Sequence, residues 1–246
     1  MNEKVNVRVA TPSSSVEIPS LSVVIPALDE AENIEATLMQ LQPARRMGLL
    51  EVILADGGST DNTQALSLPW VDQWVNAPKG RASQLNAGAA VAKAPLLLFL
   101  HADTQLPDKF YEAIVNAVNE DLAWGRFDVD LTGRHPMFRV IAFMMNWRSR
   151  LTGIATGDQA IFITRDLFSK VGGFPSQRLM EDIEISRGLK KIRSPICLRE
   201  KLITSSRKWE KQGIWRTIWL MWQLRWAYFW GASPDDLVQR YYPRAH

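Results

Sequence analysis

Cysteine is nearly absent: the 246 residues contain one, Cys197. No intrachain disulfide can form, which fits a reducing compartment and leaves the core to hold the fold. A chain of this length can bury such a core unaided. Excess charge is missing too. Lysine and arginine total 29 against 26 aspartate and glutamate, a net +3, too little to argue for a nucleic-acid partner. No uncharged apolar stretch approaches the roughly 18–20 residues of a membrane span. The N-terminus has no apolar run of the signal-peptide kind. The Gly-x-Gly-x-x-Gly dinucleotide fingerprint does not occur, and neither does an internal repeat. What remains is globular composition, 46% hydrophobic and 22% charged. Tryptophan is concentrated: of ten, Trp209, Trp215, Trp219, Trp222, Trp226 and Trp230 fall in one C-terminal segment.

Residues 1–19 are polar, with Pro12, Ser13 and Pro19, and read as a flexible tail. Then a rhythm begins. Leu21–Ile25, Glu51–Ala55, Trp70–Val75 and Leu96–Leu100 read as strands. Ala31–Leu41, Arg81–Ala92 and Asp108–Val118 read as the helices between and after them. Such βαβ units build an α/β fold, a mostly parallel central sheet with helices on both faces. Leu96–Leu100 is apolar throughout, as a central strand covered on both sides should be. The second half is less regular: strands at Phe127–Leu131 and Ala160–Thr164, helices at Phe138–Leu151, Glu181–Lys191 and Gly213–Trp230, and an extended Pro195–Leu198. No linker divides the chain. One domain over 20–207 is expected, in two lobes at 20–120 and 121–207, with a helical extension at 208–246.

Open α/β sheets bind ligands at the carboxyl ends of their strands. Four polar clusters fall there, each with a bland alternative. Asp56-Gly57-Gly58-Ser59-Thr60-Asp61 has turn composition, yet Asp56 can also accept bonds from a base or ribose. Lys79 and Arg81 are either a solvated pair or, at a helix N-terminus, a diphosphate clamp. His101 and Asp103 are either structural turn residues or ligands of a divalent cation. Glu181 and Asp182 are either acids favoured in a first helical turn or site residues, with Glu184 facing solvent. Gly157-Asp158-Gln159 lines an acceptor pocket or forms a plain turn.

Taken together these stretches resemble glycosyltransferase family 2, the inverting enzymes of the GT-A fold. The resemblance is carried by SVVIPALDEAENI at 22–34, EVILADGGSTDNT at 51–63, LLLFLHADTQLP at 96–107 and VGGFPSQRLMEDIEISRGLK at 171–190. The short chain and the SSRKWEKQG segment are similar to the small soluble radical-SAM/selenodomain-associated branch. The resemblance implies that Pro26, Ala27 and Glu30 form the first nucleotide-binding loop, that Asp56 contacts the base, and that Arg81 lies near the nucleotide. It implies Asp103 as metal ligand and Asp182 as catalytic base. Lys79, Ala102 and Glu181 join the nucleotide-sugar-binding set, and His101 joins Asp103 at the metal. Two positions depart from the family pattern: Gly57 where a second Asp is common, and His101 where the Asp-x-Asp motif has its first acid.

The implied reaction moves a sugar from a nucleotide-diphosphate sugar, UDP-linked by expectation, to an acceptor hydroxyl with inversion. A divalent cation, Mn²⁺ or Mg²⁺, would assist. The alternatives are a nucleotidyltransferase and a non-catalytic nucleotide-sugar-binding or membrane-associated protein. On Gly213–Trp230, Trp215, Trp219, Trp222 and Trp226 share one stripe, and Ile218, Leu220, Met221, Leu224 and Tyr228 cover much of the opposite side. A helix this apolar is expected to be buried on more than one side. Core packing, a homodimer interface and a peripheral membrane contact serving a lipid-like acceptor are its three readings. The expected location is the cytoplasm or the inner face of the membrane.

Overall fold

Short apolar runs alternating with amphipathic segments produce a sheet with two covered faces. A computed structural model describes residues 20–118 and 122–241; the flexible tail expected at 1–19 lies outside the described residues. Strands β1 (Leu21–Ala27), β2 (Leu50–Asp56), β3 (Gln73–Asn76), β4 (Leu96–Phe99), β5 (Trp124–Leu131), β6 (Ile161–Thr164) and β7 (Ile196–Thr204) join in the order β3-β2-β1-β4-β6-β5-β7. Pairing is parallel for β1–β2, β1–β4, β2–β3 and β5–β7 and antiparallel for β4–β6 and β5–β6. The helices are α1 (Ile34–Met39), α2 (Gln42–Arg46), α3 (Thr63–Ser67), α4 (Arg81–Val91), α5 (Phe110–Ala117), α6 (Pro136–Thr152), α7 (Arg165–Lys170), α8 (Glu181–Ile192), α9 (Arg207–Gln212), α10 (Ile214–Phe229) and α11 (Pro234–Tyr241).

Side-chain alternation assigns each strand residue to one of two cores. Val23, Ile25, Val52, Leu54, Leu96 and Leu98 meet Ile34 and Leu38 of α1 and Phe110 and Ile114 of α5. Val24, Ile53, Leu97 and Phe99 meet Ala82, Leu85 and Ala89 of α4 on the other face, with Leu167, Ile185 and Leu189 of α7 and α8. Each buried Leu or Ile contributes roughly 1.5–3 kcal/mol. The parallel register pairs Ala27 with Asp56 and Asp56 with Asn76. The loops after β1, β2 and β3 therefore leave from one edge, and the loop after β4 joins them.

Two strands are longer than their apolar content suggests. β5 begins at Trp124, not Phe127, because Arg126 is fully buried and bonded. It pairs with Asp128, donates to Ser149 Oγ at 3.1 Å, and Asp128 also takes Arg150 at 2.7 Å. β7 continues past Leu198 to Thr204, pairing with β5 along the sheet edge.

The expectation for the tryptophan helix is overturned. Of the α10 residues only Thr217 and Leu224 are buried, while Trp215, Trp219, Trp222 and Trp226 are 67–71% exposed. One narrow flank does the packing. Leu224 sits among Ile154, Met180, Ile183 and Leu237, and Ile214 and Ile218 sit against Phe138 and Ile141 of α6. A single contact line suffices to dock a helix across α6 and the start of α8, so the aromatic stripe stays outside. Glu184 faces solvent as expected, its side chain 41% exposed, and is also bonded. It accepts from Tyr228 Oη at 2.9 Å and pairs with Arg187 at 3.1 Å, linking α8 to α10.

Candidate active site

The carboxyl edge of the sheet is built from interlocked turns. Asp29 N donates to Ser59 Oγ at 2.9 Å, Glu30 N to Thr63 Oγ1 at 2.8 Å and Ala31 N to Asp61 Oδ2 at 3.0 Å. Thr60 N donates back to Asp29 Oδ1 at 2.7 Å. These bonds zip the β1 and β2 loops together. Asp56 is 5% exposed, and both its oxygens are engaged in its own turn, accepting from Gly58 N at 2.9 Å and Ser59 N at 3.0 Å. Asp56 thus shapes its own loop. Gln84 of α4 donates to Ala27 O at 2.6 Å and Ala55 O at 3.0 Å, fastening both strand ends to the helix. Pro26 is half-buried and Ala27 buried. Gly80 precedes α4 with φ 142°, a backbone angle that side chains rarely adopt. Lys79 beside it is exposed.

After β4 the chain turns through His101, buried Ala102 and half-buried Asp103. Thr37 Oγ1 holds this turn by donating to Ala102 O at 2.7 Å, and Gln40 Nε2 donates to Thr104 O at 2.8 Å. His101 Nδ1 lies 3.5 Å from Asp158 Oδ1. Asp158 belongs to a short 3-10 turn, Gly157–Gln159. Gly157 N donates to Asp182 Oδ2 at 2.9 Å, and Ile183 N donates to Asp182 Oδ1 at 2.8 Å. A side chain on Gly157 would collide with the His101 ring. Arg81 Nη1 stands 3.7 Å from Glu181 Oε1. Arg81, His101, Gly157, Glu181 and Asp182 thus line one crevice. Its cavity of about 10 Å³ admits at most a water, so a larger ligand must lie along the open edge.

Electrostatics divide the acids. Burial, then the neighbouring Asp182 charge, lifts the Glu181 carboxyl to about 7, and Arg81 offsets only part of this. Desolvation would raise Asp158, but the His101 contact and the Arg81 and Arg225 charges outweigh it and hold its carboxyl below the usual range. Burial raises Glu30; Asp103 beside it adds to that rise, against the Asn33 hydrogen bond and Arg207. Arg207 also pairs with Glu32 at 3.1 Å, bringing α9 to the first loop. Among the described residues three non-glycines have positive φ: Asp29 (54°), Ala160 (48°) and Met180 (66°). All flank this site, and strain of this kind persists where the surroundings enforce it.

Residues 22–171 match the family model for glycosyl transferase family 2. The chain belongs to that family. Among its relatives, "Probable glycosyltransferase YdaM" of Bacillus subtilis (strain 168) is 27% identical over 239 residues, covering 86% of this chain. The chain spans 55% of that relative's length. Two solved structures share the fold. The mannosyltransferase PcManGT from Pyrobaculum calidifontis, in complex with GDP-Man and Mn²⁺, has a TM-score of 0.59 at 22% identity, over 91% of this chain and 65% of that one. Glucosyl-3-phosphoglycerate synthase from Mycobacterium tuberculosis, with Mn²⁺, UDP and phosphoglyceric acid, has a TM-score of 0.55 at 17% identity, over 79% and 75%. The α/β architecture expected of this family member is therefore GT-A.

Sequence patterns singled out most of this edge. They left Asp158 as an undecided turn residue and missed Gln84, Arg148 and Arg225. Gln84 sits in an alanine-rich helix with no local mark of its role. The two arginines meet only after α10 docks.

Proposed function

We propose that this family member transfers a sugar from a nucleoside-diphosphate donor, UDP-linked, to an acceptor hydroxyl with inversion. The observation that carries this reading is the Asp182 carboxylate. It is fixed by two backbone N–H groups, opens on the carboxyl edge, and stands beside an acid whose own ionisation is suppressed. A neighbour whose charge is disfavoured by burial suits a division of roles with Asp182. Asp182 accepts the proton of the attacking hydroxyl, help typically worth about 10²–10⁴-fold. Burial and the Asp182 charge oppose ionisation of Glu181, which leaves the crevice less negative. Arg81, at the start of α4, faces the leaving diphosphate. His101 braces Asp158 and the turn that holds Asp182.

A divalent cation fits the chemistry of the edge in one specific way. Among the described residues no three His, Cys, Asp or Glu side chains form a group able to hold it. Asp103, half-buried beside Glu30, supplies one carboxylate, and Mg²⁺ or Mn²⁺ commonly completes its shell with phosphate oxygens and water. His101 is committed to Asp158, so we assign the metal to Asp103. Bound there, the ion would neutralise charge on the diphosphate. The Mn²⁺ and nucleotide donors of the structural neighbours support this reading.

No helix among the described residues is long and apolar enough to cross a membrane. The exposed α10 tryptophans support peripheral attachment at a bilayer interface, where indole rings are favoured. The test of the reaction is product analysis with a panel of UDP and GDP sugars and Mn²⁺. Release of nucleoside diphosphate supports glycosyl transfer. Release of pyrophosphate would assign nucleotidyl transfer instead.

A further inference from the structure

Two arginines lie near the site acids, Arg148 within reach of Asp182 and Asp158 and Arg225 within reach of Asp158. Arg148 of α6 has Nε and Nη2 buried without a hydrogen-bond partner. Among the described residues its guanidinium makes no ion pair, and neither does Arg225 of α10. Their placement follows from the helix faces. Ile141, Met145 and Arg148 share one flank of α6, and Ile218, Met221 and Arg225 share one flank of α10. Ile218 packs against the Ile141 cluster, which also takes Met145; Met221 packs against the Ile154–Ile183 cluster. α10 thus packs across α6 and the start of α8, which brings Arg225 close enough to Arg148 for the two charges to repel. Burial first, then the Arg225 charge, push the Arg148 guanidinium down to about 10, and Asp182 and Asp158 only partly compensate.

Like charges this close, offset only in part by Asp158 and Asp182, cost stability unless a further anion joins them. The donor diphosphate has its own cation, Arg81, on α4. Arg148 and Arg225 come from elements that follow β5, the first on α6 within 121–207 and the second on α10 of the helical extension packed against it. Resting on the transferase reading above, we propose that Arg148 and Arg225 bind an anionic group, a phosphate or carboxylate, carried by the acceptor. The planar guanidinium forks suit an oxyanion bound by two donors. The anion then fixes the acceptor so that its hydroxyl meets Asp182. A soluble sugar phosphate and a lipid headgroup offer the same chemistry.

The experiment measures binding of inorganic phosphate and of UDP with Mn²⁺ to the full chain, by thermal shift and titration, for wild type, R148M and R225Q. Phosphate is expected to raise the wild-type melting temperature and to bind each variant roughly ten- to hundredfold more weakly. UDP affinity is expected to stay unchanged. R148M without ligand is expected to melt higher than wild type, since it removes an unpaired buried charge; a purely structural arginine would give a lower melting point. Phosphate binding that survives in both variants, or is absent from wild type, overturns the proposal. A fall in UDP affinity parallel to that for phosphate also overturns it, assigning the pair to the donor. Glycerol 3-phosphate and dihexanoyl phosphatidic acid, compared on wild type, distinguish the sources: tighter binding of the first supports a soluble acceptor, and of the second a lipid one. None of these readouts needs turnover, so failure here is separable from failure of the transferase reading.

Discussion

Glu181 and Asp182 are adjacent in the chain and differ in surroundings. Glu181 is 3% exposed and faces Arg81 of α4, Asp182 of its own helix and His101 after β4. Its folded-state pKa is raised from 4.5 to about 7. A raised carboxyl favours the protonated folded form, so its contribution is full below the unfolded value and is lost as pH climbs through the folded one. Stability should therefore fall as pH climbs above the ordinary carboxylate range. Glu181→Gln should flatten that slope, and urea melts at several pH values check it; an unaltered slope would show Glu181 ionised like a surface acid. The Glu-Asp pair was legible in the sequence because motif and helix start coincide. Asp56 was legible as a loop residue, but not that its oxygens would close on Gly58 and Ser59. Arg148 and Arg225 carry no local signal of a site.

At the scale of elements, the Gly157–Gln159 turn joins two functions that strand periodicity does not reveal. It offers an N–H to Asp182 and leaves space for His101. Gly157→Ala should displace His101, loosen Asp182 and cost about 1–3 kcal/mol. Transfer should fall more steeply than donor affinity. Wild-type transfer in this variant would remove the turn from the mechanism. Leu98→Ala in β4 is a pure packing change, expected to cost about 2–5 kcal/mol with unchanged kinetic pH dependence; a denaturation curve and a pH–rate profile check both. The parallel strands β1, β2 and β4 were readable because both faces are apolar. β5 was readable only from Phe127, since Arg126 and Asp128 look exposed until Ser149 and Arg150 of α6 enclose them. β7 hid for a different reason. Arg199, Glu200 and Lys201 are exposed on an edge strand, where charge deters further pairing.

At the scale of the molecule, a loop edge built by the parallel strands β1 to β4 meets the second half of the chain, across which α8 and α10 pack. The density of tryptophan was visible in the sequence; which side of α10 would face outward was not, because one flank anchored by Leu224 settles the docking. Trp219→Ser with Trp222→Ser should abolish co-sedimentation with anionic vesicles while leaving the melting temperature within a few degrees. Retained vesicle binding would remove the bilayer from the account. The central claim is that metal-linked donor binding and proton removal occupy separate residues along one edge. It is tested most directly by titrating UDP with Mn²⁺ into wild type, Asp103→Ala and Asp182→Asn and measuring transfer by each. The account predicts that Asp103→Ala loses the Mn²⁺-dependent part of UDP binding, and that Asp182→Asn binds UDP like wild type yet loses about 10²–10⁴-fold in transfer. Equal loss of UDP binding in both variants, or undiminished transfer by Asp182→Asn, would contradict it.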